Sequence, residues 1–335
     1  MSQIKQNKLK KEILNVYIKD TDHYLKEFFD IIYPLNILAN NYIYKLQDLN
    51  NININYYYEE MGLFEQLDII KKFLCDFDIN YYKKFEEFIS LGYINIFDAL
   101  SDDFYDYNNN MEAVCLFKEN CQEANLPIFH DIGDISVIIH EFFHLTNNCD
   151  MLNPVRLIFT EVISIYMELK FSKYLTNLGY KDYYEKVLLD RLNNTLIASN
   201  NMFFSGSYIY AYYNIGNITK KNFQFLSKYL DFYKYNKDIL RYDYTKDDID
   251  YFEKSIYGYN VDCSYLLGTV IAISLLKEEK LNIYKLSLHD ILKILDVDIF
   301  DMDLELDYVM EEFNKIGDLN EKNYSNTRTY SYRKD

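Results

Sequence analysis

Residues that interrupt helices are scarce in this sequence. The 335-residue chain contains 9 glycines and 3 prolines. So few helix breakers do not suit the many tight turns of an all-β fold, and we therefore expect long helices. Apolar residues make up 49% of the chain, which excludes general disorder. The chain is long enough to bury a large core, either as one large domain or as two lobes.

Positive charge is also in short supply. Lysine and arginine together number 35, against 52 aspartates and glutamates, and the formal net charge is −17. Binding to nucleic acid requires a basic surface that matches the phosphates. The charge balance therefore predicts that nucleic acid is not a partner of this protein.

Cysteines and long apolar runs are few. The five cysteines are odd in number and include no C-x-x-C pair, which favours a reducing compartment and predicts neither disulfides nor a structural zinc site. The N-terminus carries charge without the apolar stretch of a secretory signal. The longest apolar run, residues 263–276, is too short to span a bilayer and is expected to form a buried helix. We therefore predict a cytoplasmic protein without a membrane partner.

Two of the five histidines lie four residues apart, in residues 140–144, which read His-Glu-Phe-Phe-His. On a helix such a pair is separated by about 40° of rotation, so the imidazoles of His140 and His144 can reach one metal ion. Glu141 projects from an adjacent strip of the helix, where it can hold a water molecule at the metal. The combination is typical of zinc peptidases and predicts His140 and His144 as metal ligands.

A catalytic zinc needs a third protein ligand, and the next helix offers candidates. Pro154 is expected to end the first helix, and residues 156–174 then show an apolar helical pattern. Glu161, Ser164 and Glu168 form one polar stripe on this second helix. Carboxylates on an apolar helix face are costly unless they are paired or bound to a metal.

These motifs together resemble the M3 family of oligopeptidases, the thimet oligopeptidase and oligoendopeptidase F relatives among the gluzincin peptidases. The resemblance implies that one Zn²⁺ per chain is bound with Glu161 as the third ligand, and that Glu168 steadies a zinc-binding histidine. Residues 257–268 are similar to the tyrosine- and glycine-rich segment of that family. There, tyrosine hydroxyls stabilise the oxyanion, which makes Tyr259 and Tyr265 candidates here, with Tyr257 in reserve.

The sequence also departs from the family pattern. Phe143 occupies a motif position that is usually glycine, and no histidine precedes Tyr257 where family members commonly carry one. The chain is much shorter than a typical member. The resemblance is specific over residues 126–170 and weaker over residues 250–275. We interpret the chain as a reduced, divergent relative.

The expected fold is mainly α, a zincin-like helical metallopeptidase with a small β-sheet beside the active-site helix. Helices are predicted at residues 61–77 and 81–89, strands at 113–117 and 126–129, and Asp134 as the N-cap of the zinc helix. We predict an N-terminal helical lobe over residues 1–95, a catalytic region over 96–320, and a loosely ordered tail over 321–335. The oligomeric state is left open.

The predicted function is that of a zinc-dependent endopeptidase. A metal-activated water would attack the peptide carbonyl, with Glu141 as general base, and an edge strand at residues 113–117 could hold the substrate backbone. Short peptides as substrates follow from the resemblance. A catalytically inactive peptide-binding protein on a peptidase fold is the alternative. A di-iron carboxylate protein would need a second E-x-x-H motif, which the sequence lacks.

Overall fold

The structure, a computed structural model, describes residues 35, 38–39, 41–45, 60–99, 114–118, 121–146, 154–180, 182–215, 248–278, 281, 286–296 and 306–314. The principal helices of these segments are α1 (Leu63–Phe77), α2 (Ile79–Ser90), α3 (Gly133–Thr146), α4 (Pro154–Leu178), α5 (Tyr183–Ile215), α6 (Asp248–Leu275) and α7 (Leu288–Leu295). Residues 41–45 and 306–314 are also helical. The predicted helix-rich architecture is therefore confirmed.

The described strands form a three-stranded sheet. They are β1 (Ile94–Asp98), β2 (Val114–Lys118) and β3 (Cys121–Ile128), in the order β1-β3-β2. The central strand β3 runs parallel to β1 and antiparallel to β2, so that its Ala124 lies opposite both Ile94 and Cys115. The strands predicted at residues 113–117 and 126–129 are confirmed over residues 114–117 of β2 and 126–128 of β3; residue 113 lies outside the described residues, and Phe129 follows the end of β3. β1 was not predicted from the sequence.

A short connection leads from β3 into α3, and a buried carboxylate organises it. Asp134 accepts hydrogen bonds from the backbone N–H groups of Phe129 and Asp131 and from Nε2 of Gln66 on α1, at distances of 3.0 to 3.1 Å. The predicted N-cap role of Asp134 is therefore wrong. The helix begins one residue earlier, at Gly133, and the carboxylate turns back to the preceding loop, where it fastens α3 to β3 and α1.

The core is formed where the long helices meet. Helix α6 packs along both α4 and α5, while α3 packs on α4. The apolar run at residues 263–276 lies mostly in α6, and residues 266–276 are all buried. The prediction that this run forms a buried helix is confirmed.

One side of α3 is anchored by aromatic rings. Phe142 and Phe143 are fully buried. The ring of Phe142 meets Phe85 of α2 edge to face, with centroids 5.1 Å apart, and the ring of Phe143 lies 4.9 Å from Tyr81. The bulky residue at the fourth motif position therefore packs toward α2.

Pro154, after the zinc-motif helix α3, has a different role from the one predicted. Helix α3 ends at Thr146, and Pro154 begins α4 rather than ending the preceding helix. Proline suits the first helical position because its fixed φ is already helical and its missing N–H would have no partner there. The apolar helix predicted at residues 156–174 is contained in α4.

The predicted division between residues 95 and 96 falls inside β1. The lobe at 1–95, the catalytic region at 96–320 and the tail at 321–335 stay predictions, and the tail lies outside the described residues. Among the helices that the structure describes, none is both long and apolar enough to cross a membrane.

Candidate metal centre

Helix α3 presents two imidazoles and a carboxylate in its last two turns. His140 and His144 have ring centroids 4.6 Å apart, and their Nε2 atoms are separated by 2.9 Å. Glu141 lies between them in sequence. All three side chains are buried. The i, i+4 spacing thus brings the two Nε2 atoms together, as helix geometry requires.

Helix α4 adds a carboxylate to this pair. One oxygen of Glu161, Oε2, lies 3.7 Å from Nε2 of His140, and the other, Oε1, lies 3.4 Å from Nε2 of His144. One ligand atom from each of the three residues can be chosen so that all lie within 4.8 Å of one another. The structure therefore brings together the three residues that were predicted as metal ligands.

The spacing and chemistry of these donors fit a tetrahedral metal ion such as zinc. Donors at about 2.0–2.1 Å from a tetrahedral zinc are roughly 3.3 Å apart, and the two imidazole Nε2 atoms, 2.9 Å apart, each have a different oxygen of Glu161 near that distance, at 3.4 Å for His144 and 3.7 Å for His140. Oε2 of Glu161 is buried without a hydrogen-bond partner among the described residues. A buried carboxylate oxygen of this kind calls for a cation.

The electrostatics of the cluster also suit metal binding. Burial, reinforced by the charge of Arg191, holds the pKa of His140 well below its usual range. The pKa of His144 is lowered well below its usual range by burial, by His140 and by Arg191. Both rings are therefore neutral near pH 7, which is the form that binds metals.

Glu161 shows the opposite shift. Burial raises the pKa of its carboxyl to about 8, with Glu141 and Glu168 adding to the increase and Arg191 opposing it. Proximity of several carboxyl groups in a buried site is unfavourable when they are ionised. A bound cation would remove that repulsion, so the cluster could hold a metal.

Glu168 lies two helical turns after Glu161 on α4 and contacts the imidazole of His140. Its Oε2 atom is 3.2 Å from Nδ1 of His140. When Nε2 of a neutral histidine binds a metal, Nδ1 carries the proton and its N–H can donate a hydrogen bond to such a carboxylate. The structure therefore brings Glu168 to the position that the family resemblance implied for it.

Arg191 completes this arrangement and was missed by the sequence analysis. It extends from α5, forms an ion pair with Glu168, and its Nη2 atom lies 3.2 Å from Nδ1 of His140. Burial alone would lower the pKa of the guanidinium, but the carboxylates of Glu168 and Glu161 raise it overall. The sequence does contain a pattern that points to Arg191. It follows Leu188 by three residues and precedes Thr195 by four, so it lies on the same stripe of the helix as these two buried residues.

A cavity of about 460 Å³ opens beside the cluster. Its wall includes the polar and ionisable residues His140, Glu141, Glu168, Arg191, Asp262 and Tyr265. Tyr259, by contrast, is buried in the apolar core and does not line the cavity. The structure thus brings Tyr265, but not Tyr259, to the candidate site.

Tyr265 is electrostatically coupled to the cluster. The charge of Glu161, followed by burial, raises the pKa of the phenol above its usual range. Its hydroxyl therefore keeps its proton and can act as a hydrogen-bond donor to the contents of the cavity.

A glycine on α6 permits the close contact between α6 and α4 at the third ligand. A Cβ atom on Gly268 would lie 2.8 Å from Cβ of Glu161 and 3.3 Å from its carbonyl carbon. Backbone and Cβ atoms cannot move aside as a flexible side-chain end can. Gly268 therefore sets the distance at which Glu161 meets α6.

Two solved structures have a similar fold. One is the crystal structure of a protein assigned as a peptidase from Chlamydophila abortus, with a TM-score of 0.52 and 14% identity over 92% of this chain and 57% of that chain. The other is PZ peptidase A with an inhibitor, with a TM-score of 0.51 and 13% identity over 89% of this chain and 59% of that chain. No family model and no curated protein matches the sequence.

The shared fold is that of helical, zincin-like peptidases. This confirms the predicted fold class, a mainly α zincin-like structure with a small sheet beside the motif helix. Structural similarity at such low sequence identity supports a shared fold and nothing more specific, so membership of the M3 family stays a prediction. This chain spans less than two thirds of the length of either neighbour.

Proposed function

We propose that this protein is a zinc-dependent endopeptidase that hydrolyses short peptides. The observation that carries the proposal is the convergence of His140, His144 and Glu161 beside a cavity whose wall includes Glu141. Donors from two helices meet in a buried site that is electrostatically suited to a cation. The peptidase names of both structural neighbours agree with the proposal.

The three converging residues would hold the metal. A bound zinc supplies Lewis-acid chemistry and lowers the pKa of a coordinated water toward about 7. Glu141 acts as the general base that accepts a proton from the attacking water and later delivers it to the leaving amine. Its location on the cavity wall supports this role.

Tyr265 donates a hydrogen bond to the oxyanion that develops on the attacked carbonyl. A well-placed donor of this kind contributes roughly 3–4 kcal/mol to the transition state. Its raised pKa keeps the hydroxyl protonated, and its side chain lines the cavity. Tyr259, the second candidate from the sequence, lacks the contact with the cavity on which this role depends.

Glu168 and Arg191 act through His140. Glu168 accepts a hydrogen bond from Nδ1–H of that ring and so fixes the tautomer whose Nε2 lone pair faces the other donors. Arg191 forms an ion pair with Glu168 and opposes the rise in the pKa of its carboxyl that burial causes. Both are positioning residues.

The sheet offers a means of holding the peptide backbone. β2 is an edge strand among the strands that the structure describes, and an extended peptide could add to its outer side. Short peptides are the proposed partners on this basis. Residence in the cytoplasm stays a prediction from the cysteine pattern.

Mass spectrometry of a mixed peptide pool tests the proposal. Purified protein is freed of metal, divided, and one part is supplied with zinc; both parts are then incubated with the pool. We expect internal cleavage only with zinc, and a decrease of about 10²–10⁴-fold in rate for Glu141→Gln. The matched control is Glu65→Gln, an exposed residue of α1, which should cleave like the wild type.

The same experiment addresses the alternative of a catalytically inactive peptide-binding protein. Zinc retained by the wild type together with an uncut pool would overturn the endopeptidase. Peptides that remain bound but intact, in equal amounts in wild type and Glu141→Gln, would support the binding protein.

A further inference from the structure

Acidic residues outnumber basic residues on the described wall of the cavity. Among the described residues that line it, Glu141, Glu168 and Asp262 carry carboxylates, and Arg191 carries the one guanidinium. Val137 and Ile197 are apolar, and Asn194 is uncharged. The wall is therefore negative before any ligand or metal enters.

Two of the carboxylates already have an assigned purpose. Glu168 is paired with Arg191 and contacts His140. Glu141 belongs to the metal-binding motif and is the proposed general base. Arg191 forms its ion pair with Glu168, and its charge also acts on Glu161. Asp262 is the acidic residue of the described cavity wall to which no role has been assigned.

Asp262 is in an environment that disfavours its charge. Burial raises the pKa of its carboxyl to about 7, although the side chain of Asn201 donates a hydrogen bond to it. No lysine, arginine or histidine among the described residues forms a salt bridge with it. A partly buried carboxylate without a cation is costly, and the cost is removed when a positive group binds beside it.

The location of Asp262 relates it to the proposed reaction centre. It precedes Tyr265 by three residues on α6, so both side chains lie on one face of that helix and both line the cavity. The separation along the helix axis is about 4.5 Å, comparable to the roughly 3.3–3.6 Å that one residue of an extended peptide spans. A substrate group that reaches Asp262 would therefore come from a residue close to the scissile bond.

We propose that Asp262 binds a positively charged group of the peptide substrate, the side chain of a lysine or arginine near the scissile bond; an α-ammonium group shares this chemistry but reaches Asp262 only when cleavage falls beside the N-terminus. This inference rests on the proposed function, because it assigns the substrate class of the same cavity. The ion pair of Arg191 with Glu168 also argues against recognition of a terminal carboxylate in this cavity. Asp262 is thus a specificity-determining residue.

Calorimetric titration of peptides into zinc-loaded Glu141→Gln protein tests this without relying on cleavage. The probes are alanine hexapeptides with an amidated C-terminus. The first kind has a free α-amine, and the second is a set with an acetylated N-terminus and lysine at each position in turn. The third is acetylated and neutral, and the fourth is an acetylated set with glutamate in place of lysine. The first two kinds distinguish the α-ammonium from the side chain. We expect at least one cationic peptide to bind about tenfold more tightly than the neutral one, as charge-assisted hydrogen bonds allow.

Substitutions assign that preference to one carboxylate. Asp262→Asn, nearly identical in shape, should reduce the affinity for the cationic peptide about tenfold and leave the neutral peptide within twofold. Asp262→Glu keeps the charge and should retain the preference, and Asp262→Lys should shift it to the glutamate peptide. Asp68→Asn, an exposed residue of α1 outside the cavity wall, is the matched control and should behave like the parent.

The results separate this inference from the proposed function. If no cationic peptide binds more tightly than the neutral one, or if Asp262→Asn weakens both equally, the role of Asp262 is overturned. Cleavage of neutral and cationic peptides at equal rates by the wild type would also overturn it, while leaving the endopeptidase in place. A cation preference that disappears in Asp262→Asn would uphold the role even if the wild type cleaves nothing.

Discussion

The two sides of α3 are both buried, but they are stabilised in opposite ways. Toward α2, the rings of Phe142 and Phe143 pack against Phe85 and Tyr81. Toward α4, the imidazoles of the motif meet the carboxyl groups of Glu161 and Glu168, and burial disfavours the ionised form of both. Packing on the aromatic side stabilises the fold, whereas the burial of ionisable groups on the polar side destabilises it.

This difference indicates a division of work within a single helix. A helix whose polar side is costly must be held by its other side if the donors are to stay within coordination distance of one another. The aromatic contact with α2 and the carboxylate of Asp134 at the start of α3 provide that support. The comparison predicts that changes on the aromatic side affect mainly stability and that changes on the polar side affect mainly metal binding.

The largest expected effect is on the aromatic side. Phe142→Ala should lower the free energy of unfolding by about 3–5 kcal/mol, because it removes a fully buried ring and leaves a cavity. Urea unfolding of the metal-free protein measures it. Phe64→Ala, a ring on α1 that is 87% exposed, is the control and should change stability by less than about 0.5 kcal/mol. Equal effects for the two rings would contradict the assigned role of the aromatic side.

The next effect is on the polar side. Glu161→Gln should weaken zinc binding at least about 100-fold, since loss of a direct ligand should exceed the 10–100-fold effect of an outer partner. Competition with a chromophoric chelator measures the affinity. In the metal-free protein the same change should not reduce stability, because it removes a buried carboxyl group whose ionised form is disfavoured. Unchanged zinc affinity would remove Glu161 from the ligand set.

A smaller effect is expected where α6 meets α4. Gly268→Ala should lower the free energy of unfolding by about 1–3 kcal/mol through overpacking, because its Cβ would meet Glu161 at 2.8 Å. We also expect weaker zinc binding, since Glu161 must shift. Gly258→Ala is a matched control on the same helix with no atom within 4 Å of the new Cβ, and it should be neutral or slightly stabilising. Similar results for both substitutions would show that the close approach has no effect on the ligand.

The smallest effect is a pH dependence of the metal-free protein. The folded state keeps the proton of Glu161 up to about pH 8, whereas the unfolded chain releases it near the usual value of 4.5. Stability should therefore fall as pH rises from 7 to 8, by at most about 1.4 kcal/mol for this one proton, and level off above that. The lowered pKa values of His140 and His144 act in the opposite direction at pH below 6.5, outside this window.

Thermal unfolding of wild type and Glu161→Gln between pH 7 and 9 measures this dependence. The difference between the two proteins isolates the contribution of Glu161 from that of other titrating groups. We expect the difference to change most steeply between pH 7 and 8 and to level off by about pH 9, one unit above the pKa of Glu161. A difference that is independent of pH would show that the carboxyl of Glu161 is not held protonated by burial.

Much of the fold followed from local patterns. Helices α1, α2 and α4 were predictable because apolar residues recur at helical spacing over more than ten residues. β1 was not, because five residues have no strong preference of their own and their strand state depends on parallel pairing with β3. The position of Asp134 likewise depends on its contacts with Phe129 and with Gln66 of α1, which no local pattern specifies.

By itself, the sequence determined the parts of the candidate site that depend on helix periodicity: His140, Glu141 and His144 on one helix and the stripe of Glu161 and Glu168 on the next. The structure alone decided what depends on the packing of separate helices. It selected Tyr265 over Tyr259 for the cavity, brought Arg191 to Glu168 and exposed Asp262 on the cavity wall. Periodicity relates residues within one helix, whereas contacts between α3, α4, α5 and α6 arise only when their buried faces pack together.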